Sequence, residues 1–170
     1  MFSFMIQKVA RIPLTGVVLP ALLLLAQPAA AQDKVNEAQT LNQRGLQLYQ
    51  QGNLPLALDS FKGARDADPR NAEYPNNMGI CYLQMGQLDK ARESFGAAIK
   101  LRPELALYRL NVGLVALREG DLPAAAKAFE EATSRDNKNY EAFFHLGLAR
   151  YQNREFDKAT KAWEKAVKLR

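Results

Sequence analysis

The sequence predicts an all-α chain, an α-solenoid built from four helix-turn-helix units of 34 residues each. Two observations carry this. Glycine recurs at Gly45, Gly79, Gly113 and Gly147, each 34 residues after the last. Alanine recurs on the same step at Ala57, Ala91, Ala125 and Ala159, and four residues later comes a large aromatic: Phe61, Phe95, Phe129 and Trp163. A fixed period of this length marks stacked supersecondary units that bury a continuous core between them.

Within a unit the small and apolar residues fall at helical spacing, so each half reads as an amphipathic helix. A second alanine series, Ala64, Ala98, Ala132 and Ala166, lies on the same face of the second helix. In the second unit the spacing predicts a first helix over 72–85 and a second over 89–100. Gly86 stands between them, where a positive φ ends the first helix at little steric cost. Gly52 and Gly120 hold the same place in the first and third units, and Arg154 in the fourth. Pro69 and Pro103 close the second helices, because proline drives the preceding residue out of the helical region; Asn137 stands there in the third unit. Gly79 and Ala91 mark the crossing of two helices, with Phe95 filling the space beside them.

These residues resemble the tetratricopeptide repeat, with small residues at unit positions 8, 20 and 27, an aromatic at 24 and proline at 32. The units run over 38–71, 72–105, 106–139 and 140–170. The resemblance implies a right-handed superhelix whose first helices line a concave face and whose second helices form the convex back. It also implies a protein-binding role, with unit positions 2, 5, 9 and 12 facing the groove. Those positions hold Gln39, Asn42, Leu46 and Tyr49 in the first unit and Glu73, Asn76, Ile80 and Leu83 in the second. The third unit offers Leu107, Leu110, Leu114 and Leu117, and the fourth Glu141, Phe144, Leu148 and Tyr151. The wholly apolar third set suits an apolar or amphipathic peptide or helix, anchored on Leu110, Leu114, Phe144 and Tyr151. A variant of the family clamps a C-terminal carboxylate with Lys, Asn and Arg; Leu46 and Leu114 stand where polar groups are expected, so that mode is not supported here.

The N-terminus reads differently. Lys8 and Arg11 precede an apolar run of 15 residues from Ile12 to Ala26, and Pro28 and Ala29-Ala30-Ala31 follow. That order is a secretory signal peptide over 1–31, cleaved after Ala31. The alternative is an uncleaved anchor, for which the run is short and broken by Pro13 and Pro20. The chain is therefore expected in the periplasm of a bacterial envelope, or tethered to the inner membrane. Without Lys8 and Arg11, 21 basic and 18 acidic residues remain. A balance of +3 does not point to nucleic acid.

In the last helix Arg154, Lys158, Lys161, Lys165 and Lys168 recur at three- and four-residue spacing. This basic stripe reads either as a solvated face or as a dock for an acidic partner or anionic membrane. The fourth unit shows no covering element after its second helix, which makes self-association through that end an expectation. Nothing points to catalysis. There is no metal-ligand spacing, no phosphate-cradling loop and no paired-carboxylate motif; hence no cofactor is expected. The lone His145 shares unit position 6 with Asn77 and Asn111, where a polar side chain bonding between helices would explain all three. Cys81, the only cysteine, reads as a small core residue that cannot form an internal disulfide. Three roles remain open: an adaptor working through the groove, a structural subunit of an envelope assembly, and an anionic-surface binder working through the stripe.

Overall fold

The computed structural model describes residues 29–170. The leader read at 1–31 thus lies outside the described residues, apart from its last three. Eight α-helices follow: α1 (Ala29–Gln50), α2 (Leu54–Ala67), α3 (Glu73–Gln84), α4 (Leu88–Leu101), α5 (Ala106–Glu119), α6 (Leu122–Arg135), α7 (Tyr140–Gln152) and α8 (Phe156–Leu169). No strand occurs among the described residues. α3 and α4 fall within one residue of the predicted bounds.

The turns explain why the boundaries are so sharp. Gly86 takes φ +73°, and the amide of Gln87 then donates to Tyr82 O at 2.9 Å, closing the last turn of α3. The same closure ends α1, α5 and α7, the last of them through Arg154 at φ +62°. Asn53, Asp121 and Asn139 accept from the amides of Leu56, Ala124 and Ala142, which caps α2, α6 and α7. Pro69 and Pro103 each lie just past a C-cap, at Asp68 and Arg102.

The paired series of the sequence meet in space. A Cβ placed on Gly79 would stand 2.6 Å from the Phe95 ring, and on Gly113 2.5 Å from Phe129. Only hydrogen fits, and one edge of the ring lies against the bare backbone of the facing helix. Phe61, Phe95 and Phe129 are fully buried in this way, each contributing about 2–3 kcal/mol from the area it removes from water. Trp163 is only half-buried.

Each helix packs on the one before and the one after it. Among non-consecutive helices α3 also meets α5, whereas successive second helices do not meet to the same degree. That contact sets α3 and α5 on the inner side of the stack, with α4 outside them.

Candidate functional site

The inner face is set by helix geometry. At 100° per residue, unit positions 2, 9 and 13 of a first helix lie within roughly 20° of one line, while positions 5 and 12 lean roughly 60–80° toward the next unit. Position 6 leans the other way, toward the unit before. This small difference decides which side chains a ligand can reach.

Position 9 forms one apolar row along the array: Leu46, Ile80, Leu114 and Leu148. Leu46 is exposed and the other three are half-buried. Position 12 adds a second row of Tyr49, Leu83, Leu117 and Tyr151. The first three are half-buried, whereas Tyr151 is 52% exposed. Ile80, Leu83 and Tyr49 rest on one buried cluster, Leu114 and Leu117 on the next, so these side chains are held from below. The rim is more polar. Gln39, Glu73 and Glu141 are exposed at position 2, with Leu107 the apolar exception at 47%. Position 13 supplies Gln50, Gln84, Arg118 and Gln152, all exposed. That last row was missed in the sequence, although position 13 follows position 2 by eleven residues, three helical turns, and so shares its side.

Three of the expected groove residues do not face the groove. Asn42, Asn76 and Leu110, all at position 5, are buried between units at 8%, 5% and 4% exposure. The asparagines form a ladder instead. Asn111 Nδ2 donates to Asn76 Oδ1 at 2.8 Å, Asn76 Nδ2 to Asn77 Oδ1 at 3.3 Å, and Asn77 Nδ2 to Asn42 Oδ1 at 3.0 Å. Asn42 Nδ2 then donates to Glu73 Oε1 at 3.1 Å. Four bonds thus run through two junctions, satisfying amides that burial would otherwise penalise. Leu110 is core, packed beside Leu146 and Ala126, so it is not open to act as the anchor expected of it. Phe144, the fourth residue at position 5, is 42% exposed because no unit among the described residues covers it.

His145 departs from the shared explanation offered for position 6. Its counterpart one unit back is Leu110, which has nothing to accept or donate, and Nδ1 is buried without a hydrogen-bond partner. The ring instead stacks on Phe129 at 5.6 Å and meets Phe144 edge-on at 5.5 Å. Burial holds its pKa below the ordinary histidine value, against the opposing pull of Glu141. Burial likewise pushes the Cys81 thiol up to about 11, so it stays protonated and unreactive. No group of three or more His, Cys, Asp or Glu side chains gathers at metal-binding distance among the described residues.

The basic stripe is narrower than its spacing suggests. Arg154 sits in the α7–α8 turn, ahead of the helix, and so is not part of a helical stripe. Lys158 pairs with Glu155 at 2.6 Å, and Lys165 lies 6.0 Å above the Phe143 ring. Lys161 and Lys168 are exposed. Residues 140–170 nevertheless hold seven basic and four acidic side chains, so the net +3 of residues 32–170 resides in the fourth unit. No helix among the described residues is long and apolar enough to cross a membrane.

Among solved structures, the crystal structure of MamA is similar over 83% of this chain and 82% of its own, with 24% identity and a TM-score of 0.73. TTC0263, a thermophilic tetratricopeptide protein of Thermus thermophilus, is similar over 78% and 74%, with 20% identity and a TM-score of 0.68. The first tetratricopeptide domain of Spaghetti (RPAP3), solved bound to the HSP90 peptide SRMEEVD, is similar over 75% and 94%, with 23% identity and a TM-score of 0.62. At these identities the likeness shows the fold. The curated proteins gave no match in sequence. The tetratricopeptide repeat profile matches three overlapping windows, residues 42–106, 76–140 and 110–170. This chain belongs to the tetratricopeptide repeat family.

Proposed function

We propose that the chain is a non-catalytic protein-interaction adaptor of the bacterial cell envelope, taking an apolar or amphipathic peptide or helix along its concave face. The observation that carries this is the pair of apolar rows, Leu46-Ile80-Leu114-Leu148 and Tyr49-Leu83-Leu117-Tyr151. Tyr49, Ile80, Leu83, Leu114 and Leu117 are held from below by buried clusters, and the rows are edged by four glutamines together with Glu73, Glu141 and Arg118. A surface of that kind gains from covering its apolar floor while the amide rim offers hydrogen bonds to a ligand backbone. A neighbour of the same fold was solved with a peptide bound, which supports the class of ligand, although the carboxylate-clamp residues have no counterpart here. Export rests on the order of charge, apolar run and small residues over 1–31.

A photo-crosslinking amino acid placed at position 114, in cells carrying the full chain, tests the groove and its compartment together. The expected result is a discrete adduct with an envelope protein from position 114 and none from position 127, an exposed site on the convex side. Adducts from 127 but not from 114, or adducts to cytoplasmic proteins alone, would contradict the reading.

A further inference from the structure

The second helix of an inner unit turns one side to the unit that follows. In the third unit that side carries Leu122, Ala126, Phe129 and Thr133, buried or half-buried, with α7 lying against it and Phe129 stacked on His145. The corresponding side of α8 carries Phe156, Thr160, Trp163 and Val167. Here Phe156 is 55% and Val167 74% exposed. A shallow hollow of about 360 Å³ lies over Thr160, Trp163, Val167, Glu164 and Lys168. Tyr151 extends the patch, its ring 5.5 Å from Phe156 and 5.6 Å from Trp163. An apolar face of this composition is built to be covered.

The pattern on α8 says by what. Phe156, Thr160, Trp163 and Val167 are spaced by four, three and four residues, the same read in either direction. Along the adjacent edge, Asp157, Lys161, Glu164 and Lys168 repeat that spacing with alternating sign. Turned end for end about an axis at Ala162, the helix sets Phe156 within a residue of the second copy's Val167 and Thr160 within one of its Trp163. On the edge Asp157 comes within a residue of the second copy's Lys168, and Lys161 within one of its Glu164. Each charge then has its opposite as its nearest edge neighbour, whereas a parallel pairing would set like against like. We propose that this face of α8 is the interface of a homodimer, two copies related by a two-fold axis with their α8 helices antiparallel.

The other end of the array argues that assembly stops at two. Inner units receive their predecessor on apolar side chains, such as Tyr74, Met78 and Cys81 of α3. The matching side of α1 offers Thr40, Gln43, Arg44 and Gln47, all exposed and polar. A head-to-tail stack would press Trp163 and Val167 onto that polar side, so an isologous, closed contact is the one the chemistry permits. Lys158 and Lys165 lie roughly 160–180° around α8 from Val167 and stay outside the contact.

Sedimentation of the full chain over a dilution series tests this, with the emission of Trp163, the only tryptophan, as a local reporter. The expected result is a monomer–dimer equilibrium in the micromolar range, with a red shift of the emission as dimers dissociate. Val167→Glu, at an exposed site that leaves the fold alone, should give a monomer. Asp157→Lys and Lys168→Glu should each weaken the dimer at least tenfold, and the two together should restore it. A strict monomer, a dimer indifferent to Val167→Glu, or a double charge swap no better than the singles would overturn the proposal. So would a monomer that uses Val167 to bind phosphatidylglycerol vesicles.

Discussion

Asn111 and Asn76 stand 35 residues apart in sequence and share a hydrogen bond of 2.8 Å in the buried junction between the second and third units. Through Asn77 the same chain of amides reaches Asn42 and the junction before it. Asn76 is the shared member of both links. Asn76→Ala should therefore lower stability by about 1–3 kcal/mol, since it leaves the amide of Asn111 buried without its acceptor. Asn111→Ala made on top of it should cost less than it does alone, because the bond is already gone. Urea unfolding of the four species of this cycle is the measurement, and strictly additive losses would show that the ladder carries no coupling.

The third junction lacks that ladder, which makes it sensitive to pH. His145 sits with Nδ1 buried and unpaired against Phe129 and Phe144, and its pKa is held below the ordinary value of 6.5 mainly by burial. The unfolded chain thus binds the proton more readily than the folded one. Stability is complete above about pH 6.5 and declines as pH falls below it toward the lower folded-state pKa. Thermal melting between pH 7.5 and 5 should show this decline in the parent chain and lose it in His145→Leu. That variant should also be more stable at pH 7, because no unsatisfied polar atom is left behind.

The contrast between the junctions shows how far the sequence could be read. The 34-residue period placed α3 and α4 to within a residue, because Gly79 against Phe95 and Gly86 at the turn are local requirements that a residue type alone can signal; it did not show that α1 starts as early as Ala29. The roles of Asn42, Asn76 and Leu110 were not legible in the same way. Position 5 and position 9 are both on the inner half of the helix, and only the inter-unit rotation decides that Asn76 turns toward Asn111 while Ile80 faces the groove. His145 shared its slot with two asparagines, yet its partner is chosen by residue 110, one unit away. Side chains that answer to a neighbouring unit are not determined by their own.

Arg154 carries a local strain that its counterparts avoid. Gly52, Gly86 and Gly120 occupy the left-handed region without a Cβ, while Arg154 takes φ +62° with one. The left-handed conformation costs a non-glycine residue about 1–2 kcal/mol, and glycine gives back about 0.5–1 kcal/mol in unfolded-chain entropy. Arg154→Gly should therefore raise the stability of the fourth unit by up to about 1 kcal/mol. Slower amide exchange in α7 and α8 would register it. Faster exchange in the glycine variant would mean that the arginine makes a compensating contact.

The helix crossings are intolerant in the opposite sense. At Gly79 an added methyl meets the Phe95 ring at 2.6 Å, and that ring is fully buried in one cluster with Met78, Cys81 and Val115. Gly79→Ala should cost about 1–3 kcal/mol through overpacking. Gly79→Ala with Phe95→Leu should recover part of that, since leucine leaves room where the ring edge stood. Thermal denaturation of the two variants and of Phe95→Leu alone closes the comparison, and a neutral Gly79→Ala would show that the helices separate freely at this crossing.

Leu110 and Leu114 are one helical turn apart on α5, and glutamate at each should have opposite consequences. Leu110 is 4% exposed in one cluster with Ala126, Leu146 and Ala142, so Leu110→Glu places a carboxylate in an apolar core. It should unfold the third and fourth units, with loss of helical signal at room temperature. Leu114 is half-buried on the groove floor, where a carboxylate can reach water. Leu114→Glu should leave the circular dichroism spectrum and the melting midpoint within a few degrees of the parent while removing the crosslink formed from Leu148 on the same row. If both variants unfold, the row is core rather than floor; if both fold and both still crosslink, the ligand lies elsewhere than along the line from Leu46 to Leu148.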